Sequence, residues 1–317
     1  MLRRKPQQNT DSSPRGNDRI YQEVTMQIID RMMQGEIPWR QTWVPDSSDP
    51  DKAPFRNPYS KTTFSFLNQV LLGQPGLYAT FNQIKEHGGH ILKGSKARKV
   101  FFWTMYIPKK DKEEARRLEA EGKSVEHLKL PMLKEYQLFN LENDTEGLKL
   151  DAFLGRKDTA TEAAQDPTDV VDMVIDDYRR NESVTISESA AGNPSYDAAS
   201  DTVTVPLKRC FNIEEDYYAS LVSGLVHSTA QESRNDRRIE LKRMKEGNMS
   251  VREELIAEIG SSMVLSACGL ERNETHEQIA SQCQRWMEVL QKDYRILINA
   301  ATAAEKSARY IMGNFSA

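Results

Sequence analysis

The 317-residue sequence holds only three cysteines, Cys210, Cys268 and Cys283, and no two of them are close enough for a C-x-x-C pair. Neither a disulfide framework nor a thiolate zinc site is indicated by that spacing. Long apolar runs are missing too, and nothing approaches the roughly 20 residues of a membrane-spanning helix. The N-terminus, MLRRKPQQNTDSSPRGND, lacks the apolar segment of a signal peptide. A cytoplasmic protein with no membrane partner is expected, its residues 1–18 forming a disordered basic tail. Histidine is scarce: of His87, His90, His127, His227 and His276, only the first two share a ligand-like spacing, and they flank Gly88-Gly89 as in a surface turn.

Charge is unevenly divided. Residues 1–110 carry 17 Lys+Arg against 9 Asp+Glu, net +8, whereas the remainder carries 26 against 38, net −12. A basic first half and an acidic second half suggest two domains with different partners, the first a polyanion. A length of 317 residues allows two cores.

Ile20, Val24, Ile28 and Met32 recur at four-residue spacing and predict an amphipathic helix ending near Gly35. The Pro-, Asp- and Ser-rich stretch from Ile37 to Ser60 reads as loop. Further helices are expected over 65–72 and from a Thr80 cap to Gly88. HILKGSKARKVFFWTMYI reads as two strands turning at Gly94, with Glu135–Asn143 as their partner and 109–123 as a solvated helical insertion. A polar linker covers 146–168. After it come a helix, two strands (SVTIS and DTVTV), and helices over 214–231, 250–268 and 274–310. The fold class is therefore α+β: a small mixed α/β domain over 19–145, then a mainly helical domain over 169–317.

The stretch DYYASLVSGLVHSTAQ reads as a zinc-protease helix stripped of its chemistry. H-E-x-x-H sets two imidazoles one turn apart beside a carboxylate, which suits Zn2+ and its activated water. Here those places hold Ser223, Gly224 and, at the last, His227. Serine is a poor neutral ligand, and glycine supplies no general base.

Toward DNA, Lys85, Lys93, Lys96, Arg98 and Lys99 could neutralise phosphates, the last four grouped around the Gly94 turn. Trp39, Trp43, Phe64 and Trp103 are candidate stacking surfaces for bases. Strand alternation along Val100–Trp103 exposes either Phe102 or the Phe101/Trp103 pair.

TMQIIDRMMQGEIPWRQTW, PFRNPYSKTTFSFLN and YATFNQIKEHGGHILKGSKARKVFFW follow one another as in the N-terminal domain of ArdC-type antirestriction proteins, which the chain resembles; Phe66 stands where that family has Gly. SYDAASDTVTVP, DYYASLVSGLVHST and REELIAEIGSSMVL resemble the zincin-like metallopeptidase domain that follows. The resemblance implies single-stranded-DNA binding by the first domain. It makes His227 a surviving metal position, with a third ligand in EELIAE: Glu254 supported by Glu258, or the reverse. The expected function is a non-enzymatic, single-stranded-DNA-binding protein of a bacterial mobile element. In this reading no residue is catalytic and no cofactor is required, zinc being the metal the remnant would suit. A restriction enzyme or other protein is the expected partner of the second domain. The alternatives are a divergent zinc metallopeptidase targeted to DNA and a pure protein-interaction module.

Overall fold

The computed structural model describes residues 17–40, 53–151, 153, 166–190, 192–271 and 274–313. Trp43, the basic tail up to residue 16 and most of the expected linker lie outside the described residues.

The spacing of Ile20, Val24, Ile28 and Met32 forms α1 (Asn17–Met32), with all four side chains buried. Next come β1 (Phe55–Asn57), β2 (Thr62–Thr63), α2 (Phe66–Leu72), β3 (Gly76–Thr80) and α3 (Phe81–Glu86). Thr80 caps α3 as expected, within a full capping box completed by Gln83. The short β4 (His90–Ile91) leads to β5 (Arg98–Tyr106), and α4 (Lys112–Ala120) is the solvated insertion before β6 (Leu130–Asn140) and β7 (Thr145–Glu146). The main sheet runs β2-β1-β3-β6-β5; β1 and β3 are parallel and the other pairs antiparallel.

Gly94 does not close a hairpin between β4 and β5. β4 pairs with β7, while β5 pairs with β6 from Arg98↔Leu138 to Tyr106↔Leu130. A nine-residue ladder outweighs anything a two-residue strand could offer, so the turn carries the chain from the small ribbon to the sheet edge. That edge is covered in the middle by Asn68 of α2, whose amide donates to the Phe101 carbonyl at 2.8 Å and accepts from its N–H at 2.9 Å. This satisfies backbone groups that an edge strand otherwise exposes.

The second half begins with α5 (Pro167–Glu182) and a three-stranded sheet ordered β8-β10-β9, comprising β8 (Thr185–Ser189), β9 (Ser195–Asp197) and β10 (Thr202–Pro206). β9 lies in the connection between the two expected strands SVTIS and DTVTV. It forms because Tyr196, opposite Val203, is buried. Then follow α6 (Glu214–Ser228), α7 (Arg238–Lys245), α8 (Val251–Ala267), α9 (His276–Lys292) and α10 (Arg295–Met312). The single helix expected over 274–310 is two, broken at Asp293, which has extended backbone and a side chain that accepts from the Arg295 N–H at 2.9 Å. The fold is thus α+β, with a mixed sheet in the N-terminal half and helices dominating the C-terminal half.

One apolar cluster runs through both halves, taking in Val24, Ile28 and Phe101 together with Trp286, Leu297 and Ile298. α1 packs on α9 and α10, and Thr25 Oγ1 donates to the Tyr294 carbonyl at 2.8 Å. Trp39, 2% exposed, meets Trp286 edge-on with ring centroids 6.3 Å apart. Arg40 donates to Glu258 at 2.9 Å through Nε and also bonds Glu274 and Gln282. The Trp39-Arg40 pair of the basic half is therefore seated in the acidic half.

Candidate functional site

On α6, Ser223 is half-buried while Gly224 and His227 are buried. Gly224 lies against β10: a Cβ built there would stand 2.4 Å from Val203 Cγ1. No side chain fits at that place without displacing the Val203 side chain, so the space beside the missing catalytic carboxylate is already taken. On the neighbouring α8, Gly260 approaches Val226 of α6 less tightly, at 3.0 Å from an added Cβ. Gly224→Ala is expected to destabilise the protein by about 1–2 kcal/mol, because overpacking outweighs the roughly 1 kcal/mol gained in helix propensity. A thermal melt checks this; an unchanged or raised midpoint would mean that β10 yields freely.

His227 is bonded to neither Glu254 nor Glu258. Its Nδ1 lies 3.1 Å from Oε1 of Glu253, a fully buried carboxylate. Arg237 grips the same carboxylate with Nη2 at 2.6 Å and Nε at 3.0 Å. Its other donors reach Thr229 Oγ1 at 2.8 Å, Ser307 Oγ at 3.0 Å and the Val226 carbonyl at 3.0 Å. All five guanidinium protons are thereby used. Burial works to raise the Glu253 carboxyl, but the hydrogen bonds from His227 and Arg237 prevail and hold it below the usual carboxylate range. A fixed cation thus ties α6, α8 and α10 together.

The remaining carboxylates of EELIAE have arginines of their own. Glu254 bonds Arg285 near the surface, and Glu258 bonds Arg40. Glu254 and Glu258 were expected to face His227; one residue of helical rotation gives that place to Glu253 instead. Among the described residues no three His, Cys, Asp or Glu side chains converge as a metal would require. Burial also pushes the Cys268 thiol up to about 12, so it offers no ready thiolate. These residues do not fit a catalytic metal.

The main sheet has two unlike faces. Lys99, Phe101 and Trp103 point toward α1, where Phe101 joins the core and Lys99 bonds Glu23 at 2.9 Å and Glu135 at 3.4 Å. Hydrogen bonding to Glu23 raises the Lys99 ammonium above its ordinary value, so this cation is already engaged. The opposite face carries Phe102, paired across the ladder with Lys134, and Val100, paired with Tyr136. Phe102 and Tyr136 are half-buried, edge-on at 5.6 Å, and Phe64 packs beside Phe102 at 6.0 Å. Between them and Gln83 opens a recess of about 280 Å³. Lys134 Nζ sits 5.0 Å over the Tyr136 ring at its side.

The residues expected to meet DNA are scattered by the fold. Trp39 is buried between the halves and cannot stack on a base. Phe64 is 2% exposed and forms a wall of the recess, while Trp103, 45% exposed, stands on the α1 face. Arg98, on the recess face, is bonded to Asp144 at 2.8 Å. Lys85, Lys93 and Lys96 are exposed and carry no ion pair among the described residues. The cluster around Gly94 is thus split between two faces, because Arg98 and Lys99 are consecutive in a strand. Sequence reading missed Tyr136, Lys134 and Gln83. The alternation of Lys134, Tyr136 and Leu138 was the available signal for the first two.

Residues 18–139 match the family described as the N-terminal domain of anti-restriction factor ArdC, and residues 174–303 match the family described as zincin-like metallopeptidase. A DNA primase, TraC of Escherichia coli, is 25% identical over 302 residues, covering 92% of this chain. The chain spans only 20% of that primase's length. The antirestriction protein ArdC of plasmid R388 superimposes in its metal-free crystal structure with a TM-score of 0.62 at 27% identity, over 93% of this chain and 97% of that one. Its Mn(II)-bound structure gives 0.60 at 26% identity, over 93% and 99%.

Proposed function

We propose that this chain, similar in its two-domain make-up to the ArdC-type antirestriction proteins, binds single-stranded DNA on the open face of its N-terminal sheet. The carrying observation is the pairing of half-buried Phe102 and Tyr136 over a recess flanked by Lys134. Aromatic rings give successive bases a surface to stack on, and cations at the side take the phosphates, a combination tolerant of sequence. A duplex hides its base faces, so single strands are the substrate.

The zincin-like domain serves in this proposal as a scaffold and protein-binding surface without peptidase activity. The plasmid relative exists in a Mn(II)-bound form. Here the carboxylates of α8 are committed to Arg237, Arg285 and Arg40, and Val203 fills the space beside Gly224. A restriction enzyme is the kind of partner that the antirestriction likeness suggests for this surface. No helix among the described residues is long and apolar enough to cross a membrane.

A salt titration tests the DNA reading. Labelled oligo-dT should bind with a log–log salt slope that falls by about 0.7 for each phosphate contact removed. Replacing Lys93 and Lys96 together by Ala is expected to flatten the slope by about 1.4 on the same basis. Absence of binding to any single strand at low salt would refute the proposal.

A further inference from the structure

We propose that the recess between Phe102, Tyr136 and Gln83 receives one unstacked base and favours a keto pyrimidine, thymine or uracil. This rests on the reading of the sheet face as a single-stranded-DNA platform and adds a base preference to it.

The argument starts from Asn57. Its Oδ1 accepts the backbone N–H groups of Tyr59 at 3.0 Å and Ser60 at 3.1 Å, so its amide nitrogen must be the group facing Gln83. That nitrogen donates to Gln83 Oε1 at 3.0 Å, and the Thr80 backbone N–H and hydroxyl donate to the same oxygen, each at 3.0 Å. Three donors on one oxygen leave no freedom to flip the Gln83 amide. Gln83 is therefore held as a donor: its Nε2 carries two N–H groups with no partner among the described residues, at the wall of the recess.

The recess is otherwise lined by Phe64, Phe102, Tyr136 and Leu138, and by Asn57, Ser60, Thr62 and Thr80, whose side chains already bond one another or Gln83. Rings supply a stacking surface for any base, so discrimination falls to the polar group. A fixed donor is matched by a carbonyl oxygen and opposed by an exocyclic amino group. Thymine and uracil present carbonyls at both O2 and O4. Adenine presents no carbonyl, only an exocyclic amino group and ring-nitrogen acceptors, so it meets the donor less well. A buried or half-buried donor left unmatched is unfavourable, which is how a polar wall converts to preference.

The test is anisotropy of labelled dT12 and dA12 at one salt concentration, with wild type and Gln83→Glu. Glutamate at this place keeps the capping box, since one carboxylate oxygen accepts from Thr80 and Asn57 as Oε1 does now, but it turns the donor into an acceptor. Circular dichroism confirms that the variant is folded. The ratio of dT12 to dA12 affinity is read within each protein, which removes the general weakening caused by the added negative charge. Wild type is expected to favour dT12 on the order of ten-fold, and the variant to lose most of that ratio. Equal affinities in wild type, or an unchanged ratio in the variant, would overturn the base preference while leaving single-stranded binding intact. Failure of wild type to bind either strand would overturn both.

Discussion

Replacing Arg237 with Met lowers the free energy of unfolding by about 3–5 kcal/mol, the range for stripping one partner from a buried ion pair. Glu253 is fully buried and keeps only His227 once the guanidinium is gone, while Thr229, Ser307 and the Val226 carbonyl each lose a donor. Urea denaturation at pH 7 measures the loss. Adding Glu253→Gln to the variant should recover part of it, since the uncompensated charge disappears. The effect also depends on pH with a defined sign. The Glu253 carboxyl is held below its ordinary value in the folded protein, so its contribution is fully present above the unfolded value of about 4.3. It is lost as pH falls through the lower folded value. The gap between wild type and variant should therefore be full at pH 7 and begin to narrow only as pH falls below the unfolded value of about 4.3. A loss under 1 kcal/mol at pH 7 would mean that Arg237 does not hold the three helices together.

Removing both rings of the open sheet face, as Phe102→Ala with Tyr136→Ala, weakens binding to oligo-dT by at least about ten-fold and leaves the salt slope unchanged. Stacking on an aromatic ring contributes about 1–3 kcal/mol per base and releases no counterions, so affinity and slope separate. Trp103→Ala is the matched control, because that ring stands on the α1 face. Equal losses from Trp103→Ala and from the double variant would assign the DNA to the wrong face or to both.

Where periodicity and caps are local, the sequence is a good guide to the fold. The four-residue spacing in α1, the Thr80 cap and the solvated α4 are all visible in it, since each depends on neighbours within a turn or two. What escapes is set by distant partners. β9 exists because Tyr196 meets Val203, and the break at Asp293 interrupts an apolar period that continues on both sides. The degenerate helix was legible as Ser223, Gly224 and His227, but its rebuilding was not. Nothing in NDRRIE announces that Arg237 will occupy Glu253, or that one residue of rotation separates Glu253 from Glu254. The residues proposed to face DNA were the least legible, because alternation along a strand defines two faces without saying which one a helix will cover. Here α1 covers Phe101 and leaves Phe102 open.

Photo-crosslinking of oligonucleotides carrying 5-bromodeoxyuridine, followed by mass-spectrometric mapping of the adducts, tests the central claim most directly, because it reports which face of the sheet holds the strand. Adducts at Phe102 and Tyr136, suppressed by excess unlabelled oligo-dT, are the predicted result. Adducts confined to Trp103 and the α1 face, or to the zincin-like half, would contradict it.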